Sequence, residues 1–179
     1  MRCKIVCIAF LTVLLGGIPV LAQEAGAIGI NFSAGSEIGV GATFHVNNTL
    51  VLRPQVYYDH LEMESCYYDG ISGYRCFNES AESYGVALST LFNAFTRDSL
   101  TGYGGFELLY DRLDYSYTSD GWRAGIQGLF GLRYRVAPKV ALYGEAGLRW
   151  TRQKNQYSED YVDSYGTTTA AVGVTFYLK

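Results

Sequence analysis

The chain has 179 residues, of which 14 are basic and 17 acidic, and a net charge of −3. This length suits one domain, and the acidic balance gives no support for nucleic-acid binding. Tyrosine and glycine are abundant, at 16 and 21 copies, whereas lysine is rare. Because a soluble β-protein usually covers its outer face and edges with lysine and glutamate, this composition argues against that class.

The first 22 residues have the pattern of a cleaved export signal. Arg2 and Lys4 precede an apolar run over residues 5–20, and Ala22 ends a small-residue cleavage motif. A retained membrane anchor is the alternative, but the apolar run is short for one. We therefore expect residues 1–22 to be a signal peptide and residues 23–179 to form the mature domain. The mature part has no apolar run near the roughly 18 residues that a transmembrane helix needs.

Alternation of apolar with polar residues predicts eight strands in the mature part. It is clearest from Trp122 to Tyr134, where one alternate set is apolar and the other is mostly polar or small. The predicted strands cover about residues 27–34, 37–46, 50–60, 82–92, 100–112, 122–134, 140–152 and 165–178. Pro54 cannot donate a ladder hydrogen bond, so it predicts a bulge or an unpaired position in the third strand.

The connections between the predicted strands alternate in length. Short turns follow the second, fourth and sixth strands, the fourth-strand turn covering residues 93–99. Long polar loops over about residues 61–81, 115–121 and 153–163 follow the third, fifth and seventh. Short turns at one rim and long loops at the other are typical of outer-membrane barrels. The tight turn at Gly35 and Ser36, after the first strand, departs from this rule.

The composition of the two strand faces predicts which face meets lipid. In the alternative, a lipocalin-like soluble barrel, the apolar face would be inside. We expect the apolar face here to carry no charge, as lipid requires, and the other face is mostly glycine, hydroxyl, amide and tyrosine residues. The apolar face is therefore predicted to be outside, around a narrow polar lumen. Aromatic residues near the strand ends would form two interfacial girdles: Tyr58, Tyr84, Tyr110, Trp122 and Trp150 on the loop side, and Phe44, Phe92, Tyr134 and Phe176 on the turn side.

The export signal, the eight alternating strands and the aromatic end of the last strand (Val172-Gly173-Val174-Thr175-Phe176-Tyr177-Leu178) resemble the OmpA/OmpX-type outer-membrane β-barrel domain family. The resemblance covers the whole mature chain and implies an all-β, eight-stranded antiparallel up-and-down transmembrane barrel. It also implies a monomer without cofactors in the outer membrane of a Gram-negative-type bacterium. The expected partners are outer-membrane lipid and lipopolysaccharide, the barrel-assembly machinery, periplasmic chaperones, and a host or surface ligand at the extracellular loops. The family's last strand usually ends in an aromatic residue, whereas this chain ends in Leu178 and Lys179.

Charged residues on the polar face would lie in the lumen, where an unpaired ion costs several kcal/mol. We therefore expect Glu107 and Glu145 to form an ion-pair network with partners among four arginines: Arg53, Arg123, Arg133 and Arg149. The favoured interpretation is structural packing of the lumen. The alternative is a gate, in which exchange of ion-pair partners opens a small pore.

Cys66 and Cys76 are the only cysteines of the mature part, and both lie in the long loop after the third predicted strand. In an oxidising compartment such a pair predicts a disulfide. The favoured interpretation of the tyrosine-rich loops is a girdle with ordinary loop filling, and the alternative is a surface for binding partners, since tyrosine is enriched at interfaces.

Catalysis has few candidate residues. The mature part has two histidines, His45 and His60, and a lipid-modifying enzyme would need a histidine, a serine and an acid together. His60 with Ser65 and either Glu62 or Glu64 is a weak candidate. No metal site is expected. The sequence favours a non-catalytic structural or surface-interaction role.

Overall fold

The computed structural model describes residues 25–68, 74–115, 121–154 and 162–178, without the side chains of 61–68, 74–81, 115, 154 and 162–163. Its strands are β1 (Ile28–Gly35), β2 (Ile38–His45), β3 (Leu50–Tyr68), β4 (Tyr74–Arg97), β5 (Leu100–Tyr115), β6 (Gly121–Ala137), β7 (Val140–Lys154) and β8 (Val162–Tyr177). Each strand pairs antiparallel with its neighbours in sequence, and β8 closes the sheet onto β1. The eight-stranded up-and-down barrel is therefore confirmed. The predicted signal peptide lies outside the described residues. Across the described part of the chain, no helix is long and apolar enough to cross a membrane.

The period-two alternation turns the apolar residues to the outside of the barrel. Phe130 and Leu148 are 66% and 70% exposed, whereas the inward-facing Glu107 and Arg123 are 3% and 5% exposed. This confirms the predicted orientation and rules out the lipocalin-like arrangement. All nine predicted girdle residues occupy outward-facing positions, either exposed or half-buried: Phe44, Tyr58, Tyr84, Phe92, Tyr110, Trp122, Tyr134, Trp150 and Phe176.

The expectation that the outward face carries no charge is wrong at the extracellular ends of β5 and β7. Arg112 and Arg152 are exposed there, each two residues beyond an outward-facing aromatic residue, Tyr110 or Trp150. Aromatic residues of this kind mark the membrane interface. An outward cation is tolerated beyond them because it can reach the polar headgroup region.

Ser36, in the short β1–β2 turn, ends the pairing of β1 with β8. Its backbone N–H donates to the carbonyl of Ala170 at 3.0 Å, and its hydroxyl oxygen accepts the N–H of Ala170 at 3.2 Å. The serine thus takes the place of one more ladder residue and ends the β1–β8 pairing just above Gly35↔Ala171.

The prediction of a loop over residues 61–81 is wrong, because β3 and β4 continue through most of it. The two strands are paired without a break from Leu50↔Phe92 to Tyr68↔Tyr74. Pairing of β3 with β2 ends at Tyr58, and pairing of β4 with β5 ends at Ala81. Residues 62–68 and 74–80 therefore form a two-stranded extension. Together with residues 59–61 of β3 at its base, we call it the β3–β4 arm.

The arm continues the two faces of the barrel, but its outward-continuing face is no longer apolar and its inward-continuing face is mixed, with Arg75 and Glu79 among apolar residues. Positions that continue the outward face of the barrel are acidic or polar: Glu62, Glu64, Asn78 and Ser80. Positions that continue the inward face include three apolar residues, Leu61, Met63 and Phe77. Mixed charge and the change of phase made this stretch resemble a loop in the sequence.

Two further strand ends differ from the prediction. The predicted turn over residues 93–99 is shorter, because a bulge between Asn93 and Phe95 lets β4 continue to Arg97. The turn itself includes Asp98, which has a positive φ of 52°. Before the short turn between β6 and β7, β6 continues to Ala137 through a register shift after Arg135.

Pro54 pairs with Leu88 of β4, but the β2–β3 ladder is interrupted beside it. Partners on that side resume in unchanged register, from Gly41↔Gln55 to Phe44↔Leu52. The unpaired position is confirmed, and it involves no bulge.

Cys66 and Cys76 are direct cross-strand partners in the arm, although their side chains lie outside the described residues. Directly opposed residues have Cα atoms about 4.5–5.5 Å apart, within the range of about 4.4–6.8 Å that disulfides span. We expect the bridge to form in an oxidising compartment and to constrain the unfolded arm by about 2–3 kcal/mol. A gel of the thiol-blocked protein should show different mobility with and without reductant. The Cys66→Ser variant should show no such difference. Equal mobility of the wild type in both lanes would contradict the bridge.

Candidate functional site in the barrel lumen

All six charged residues predicted for the lumen lie on inward-facing positions of four strands. Arg53 comes from β3, Glu107 from β5, Arg123 and Arg133 from β6, and Glu145 and Arg149 from β7. The five other than Glu145 are buried, and the Glu145 side chain is 9% exposed. The structure brings some of them together and separates others.

A bidentate ion pair joins opposite walls of the barrel. Arg53 donates from Nη1 and Nη2 to the two carboxylate oxygens of Glu145, at 2.6 and 2.9 Å. Tyr103 donates its hydroxyl to the same carboxylate at 2.7 Å, and the Arg53 guanidinium lies 5.3 Å from the centre of the Tyr143 ring. Because β3 and β7 are four strands apart in the ring of eight, this pair is a strut across the lumen. Bidentate pairs of this type are among the strongest polar contacts in proteins.

Glu107 is held mainly by neutral groups. Ser89 donates its hydroxyl at 2.6 Å and Gln55 its amide at 3.3 Å, both to Oε2. Its ion-pair partner is Arg149, whose Nη2 lies 4.0 Å from Oε1 of Glu107. Glu107 therefore makes a weaker ion pair than Glu145 does.

Arg149 makes its closest contacts with Glu37, which the sequence analysis did not include. Both of its terminal nitrogens donate to the Glu37 carboxylate, and Nε donates to Gln127 at 2.8 Å. Glu37 lies in the β1–β2 turn, at an odd-numbered position like its inward neighbours in β1. That parity was the available signal, since Glu37 also begins the second predicted strand.

Arg123 pairs with neither Glu107 nor Glu145. Its Nε donates to both oxygens of Asp111, at 3.1 and 2.9 Å, and its Nη2 lies 3.7 Å from Glu37 and 3.8 Å from Asp59. Asp59 and Asp111 were also missed, although alternation already placed both on the polar faces of their strands. The outer half of the lumen thus has three carboxylates around Arg123, one of which, Glu37, also pairs with Arg149.

Arg133 lies towards the end of the barrel with the short turns. It donates to the side-chain oxygen of Asn93 at 3.1 Å, and its guanidinium lies 5.7 Å from the centre of the Tyr103 ring. His45 is near the same end, buried against the edge of Tyr177 with ring centres 5.8 Å apart.

An apolar cluster adjoins the Arg53–Glu145 pair inside the otherwise polar lumen. Val51, Leu91 and Leu129 are at most 5% exposed and form one cluster with Tyr103. They lie in a single cross-strand row, through Val51↔Leu91, Leu91↔Gly105 and Gly105↔Leu129. The cavity lined by the ion-pair residues has a volume of about 40 Å³, enough for only one or a few water molecules.

The abundance of tyrosine and glycine has a common cause in the lumen. A Cβ on Gly131 would lie 2.8 Å from the hydroxyl of Tyr103, and Gly173 and Gly85 would collide with Tyr143 and Tyr57 in the same way. Each glycine leaves room for the long phenol side chain of its cross-strand partner on the neighbouring strand, and these side chains fill the barrel.

The weak catalytic candidate is not supported by strand geometry. His60 shares a face of β3 with Glu62 and Glu64, whereas the alternation places Ser65 on the opposite face. The side chains of Glu62, Glu64 and Ser65 lie outside the described residues. Among the residues that the structure describes, no group of three or more His, Cys, Asp or Glu could hold a metal ion.

No protein-family model and no curated protein matches the chain, but solved structures do. Outer membrane protein OprG of Pseudomonas aeruginosa aligns with a TM-score of 0.59 and 10% identity, over 89% of this chain and 99% of that one. The N-terminal β-barrel domain of OprF from the same organism gives 0.52 and 14%, over 87% and 100%. Neisserial surface protein A gives 0.52 and 18%, over 84% and 92%. The chain therefore has the fold of outer-membrane β-barrels, and the resemblance to OmpA/OmpX-type barrels is confirmed at the level of the fold.

Glu145→Ala should destabilise the barrel by about 3–5 kcal/mol, since it leaves the buried Arg53 charge without its carboxylate. The double variant Arg53→Met/Glu145→Leu should recover most of that loss, because it removes both charges. The measurement is equilibrium urea unfolding of the refolded protein in lipid vesicles, followed by tryptophan fluorescence. Glu82→Ala, which removes a carboxylate from the outer surface, is the control. An unchanged free energy of unfolding for Glu145→Ala would show that the strut does not stabilise the barrel.

Proposed function

We propose that the chain is an integral outer-membrane β-barrel protein with a structural and surface-interaction role and no catalytic one. The observation that carries this proposal is a closed, filled barrel from which the β3–β4 arm projects. A filled lumen leaves little for the interior to do, whereas the arm offers binding surface outside the membrane.

The outer surface supports a place in a lipid bilayer. Its exposed residues over the middle of the strands are apolar, with aromatic residues at both ends, as in transmembrane barrels. The connections are short at the end near Arg133 and His45, which would face the periplasm. The arm would then extend from the cell surface.

The arm is suited to contact with another macromolecule. Ten residues of β3 extend beyond the last residue paired with β2, which corresponds to about 33 Å of strand. One face carries Leu61, Met63 and Phe77 together with Arg75 and Glu79, and the other carries Glu62 and Glu64, so the arm can combine apolar contact with charge selectivity. Tyr68 and Tyr74, the last pair before the tip, add the residue type most favoured at interfaces.

Location and exposure of the arm can be tested together. We expect the protein in the outer-membrane fraction, with gel mobility that changes on boiling. After mild reduction of intact cells, a membrane-impermeant maleimide should label Cys66 and Cys76. Lys139→Cys in a Cys66→Ser/Cys76→Ser background, at the opposite rim, should be labelled only after the cells are opened. Equal mobility boiled and unboiled would overturn the barrel in the membrane, and labelling only in opened cells would overturn the surface role.

The alternative function, a pore gated by exchange of ion-pair partners, can be tested separately. Because Val51, Leu91, Leu129 and Tyr103 fill the lumen beside the Arg53–Glu145 pair, loss of Glu145 alone should not open a path. We expect no single-channel current in planar bilayers for either the wild type or Glu145→Ala. Discrete current steps in the wild type, or only in the variant, would favour the pore.

A further inference from the structure

One of the buried lumen arginines has no carboxylate partner among the residues that the structure describes. The four arginines Arg53, Arg123, Arg133 and Arg149 are all between 4% and 7% exposed. Three of them form close ion pairs with glutamate or aspartate. Arg133 instead donates to the neutral side-chain oxygen of Asn93, at 3.1 Å. Because an uncompensated buried charge costs several kcal/mol, we expect a counter-charge near Arg133.

Two buried polar side chains at the same end of the lumen have no hydrogen-bond partner within the described part of the chain. His45 is 2% exposed with neither ring nitrogen bonded, and Tyr177 is 5% exposed with its hydroxyl unbonded. The two rings are in edge contact, with centres 5.8 Å apart. The charge of Arg133 acts on the His45 ring. Since buried polar groups in folded proteins are nearly always hydrogen-bonded, these two side chains also point to a missing partner.

The three side chains come from separate strands and meet across the lumen. His45 lies on β2 and Arg133 on β6, four strands apart in the ring of eight, so they approach from opposite walls. Tyr177 ends β8, and Asn93, which holds Arg133, lies on β4. Side chains from alternate strands form common layers in other closed barrels. His45, Arg133 and Tyr177 therefore belong to one layer at the end with the short turns.

The chemistry of this layer favours a negative ligand. Arginine is a donor only, and histidine and tyrosine each offer at least one donor hydrogen. The Arg135 guanidinium, 5.8 Å from the centre of the Tyr177 ring, adds a second positive charge. Asp98 is at the same end, but it is exposed in the turn after β4 and forms no ion pair with Arg133. The deep burial of the three donor side chains restricts the ligand to a small one.

We propose that this layer binds a small inorganic anion of halide size, held by the Arg133 guanidinium, a ring N–H of His45 and the Tyr177 hydroxyl. The anion supplies the counter-charge that carboxylates supply to the other three arginines. It completes the packing of the lumen at this end. The site requires only the folded barrel, and it is independent of the proposed surface role.

The test is a chloride titration of the mature barrel in detergent micelles, in which NMR follows isotope-labelled histidine rings. Sodium gluconate replaces sodium chloride so that the ionic strength stays constant. The mature part has two histidines, His45 and His60, and His60 is the internal control because it lies at the opposite end of the barrel. The His45 ring nitrogens should shift with chloride until they saturate, whereas those of His60 should not.

Three variants separate the site from general charge. Arg133→Gln should raise the chloride concentration at half-saturation about tenfold, as expected for loss of a charge-assisted hydrogen bond. Tyr177→Phe should raise it about fivefold, because it loses one neutral hydrogen bond. Arg97→Gln, which removes an exposed arginine at the same end, should stay within about twofold of the wild type.

Three results would overturn the site: a His45 ring that does not respond to chloride, an equal response of His60, or unchanged half-saturation in Arg133→Gln. Heat-modifiable mobility shows that each variant is folded, and Tyr177→Phe takes the place of Arg133→Gln should the latter fail to fold. A second measurement needs no variant. Because a ligand of the folded state stabilises it, urea unfolding of the wild type should show a higher free energy of unfolding in chloride than in gluconate. Equal values in the two salts would also overturn the site.

Discussion

The pairing of Arg53 with Glu145 across the lumen is the contact on which much of this interior depends. A narrow barrel surrounded by lipid cannot expose a charge on its wall, and it cannot leave one unpaired inside. Arg53 and Glu145 meet this constraint with two short hydrogen bonds between opposite walls. The remaining lumen residues are arranged around the strut, with Tyr103 bound to its carboxylate and Tyr143 lying beside its guanidinium.

Water and lipid impose opposite phases on the same alternating sequence. In the barrel, the outward position must be apolar because it meets lipid. In the arm, the corresponding position carries Glu62 and Glu64, and the apolar residues move to the other face. The change of phase begins beyond Tyr58, where β3 loses its β2 partner. The position along β3 at which the outward residues stop being apolar therefore corresponds to the membrane surface.

Alternation was sufficient to predict the eight strands and their order, and the composition of the two faces predicted the lipid-facing side, because each depends on local sequence. It did not predict which charges meet. Arg123 contacts Asp111 because the β5–β6 register sets the two directly opposite, and register depends on how neighbouring strands slide. The meeting of Arg53 with Glu145 depends further on closure of the whole ring. Asp59 and Asp111 could have been placed inside by parity alone, whereas the partners of Arg149 required the fold.

A sealed interior shifts the search for function to the surface. The apolar cluster and the ion pairs together fill the lumen. Outside, the β3–β4 arm departs from a simple lipid-facing wall. It is not needed to close the barrel, since the β1–β2 hairpin closes its part of the wall without an extension above Ser36. Features that stability does not require are where interaction with lipid or with a partner is best sought.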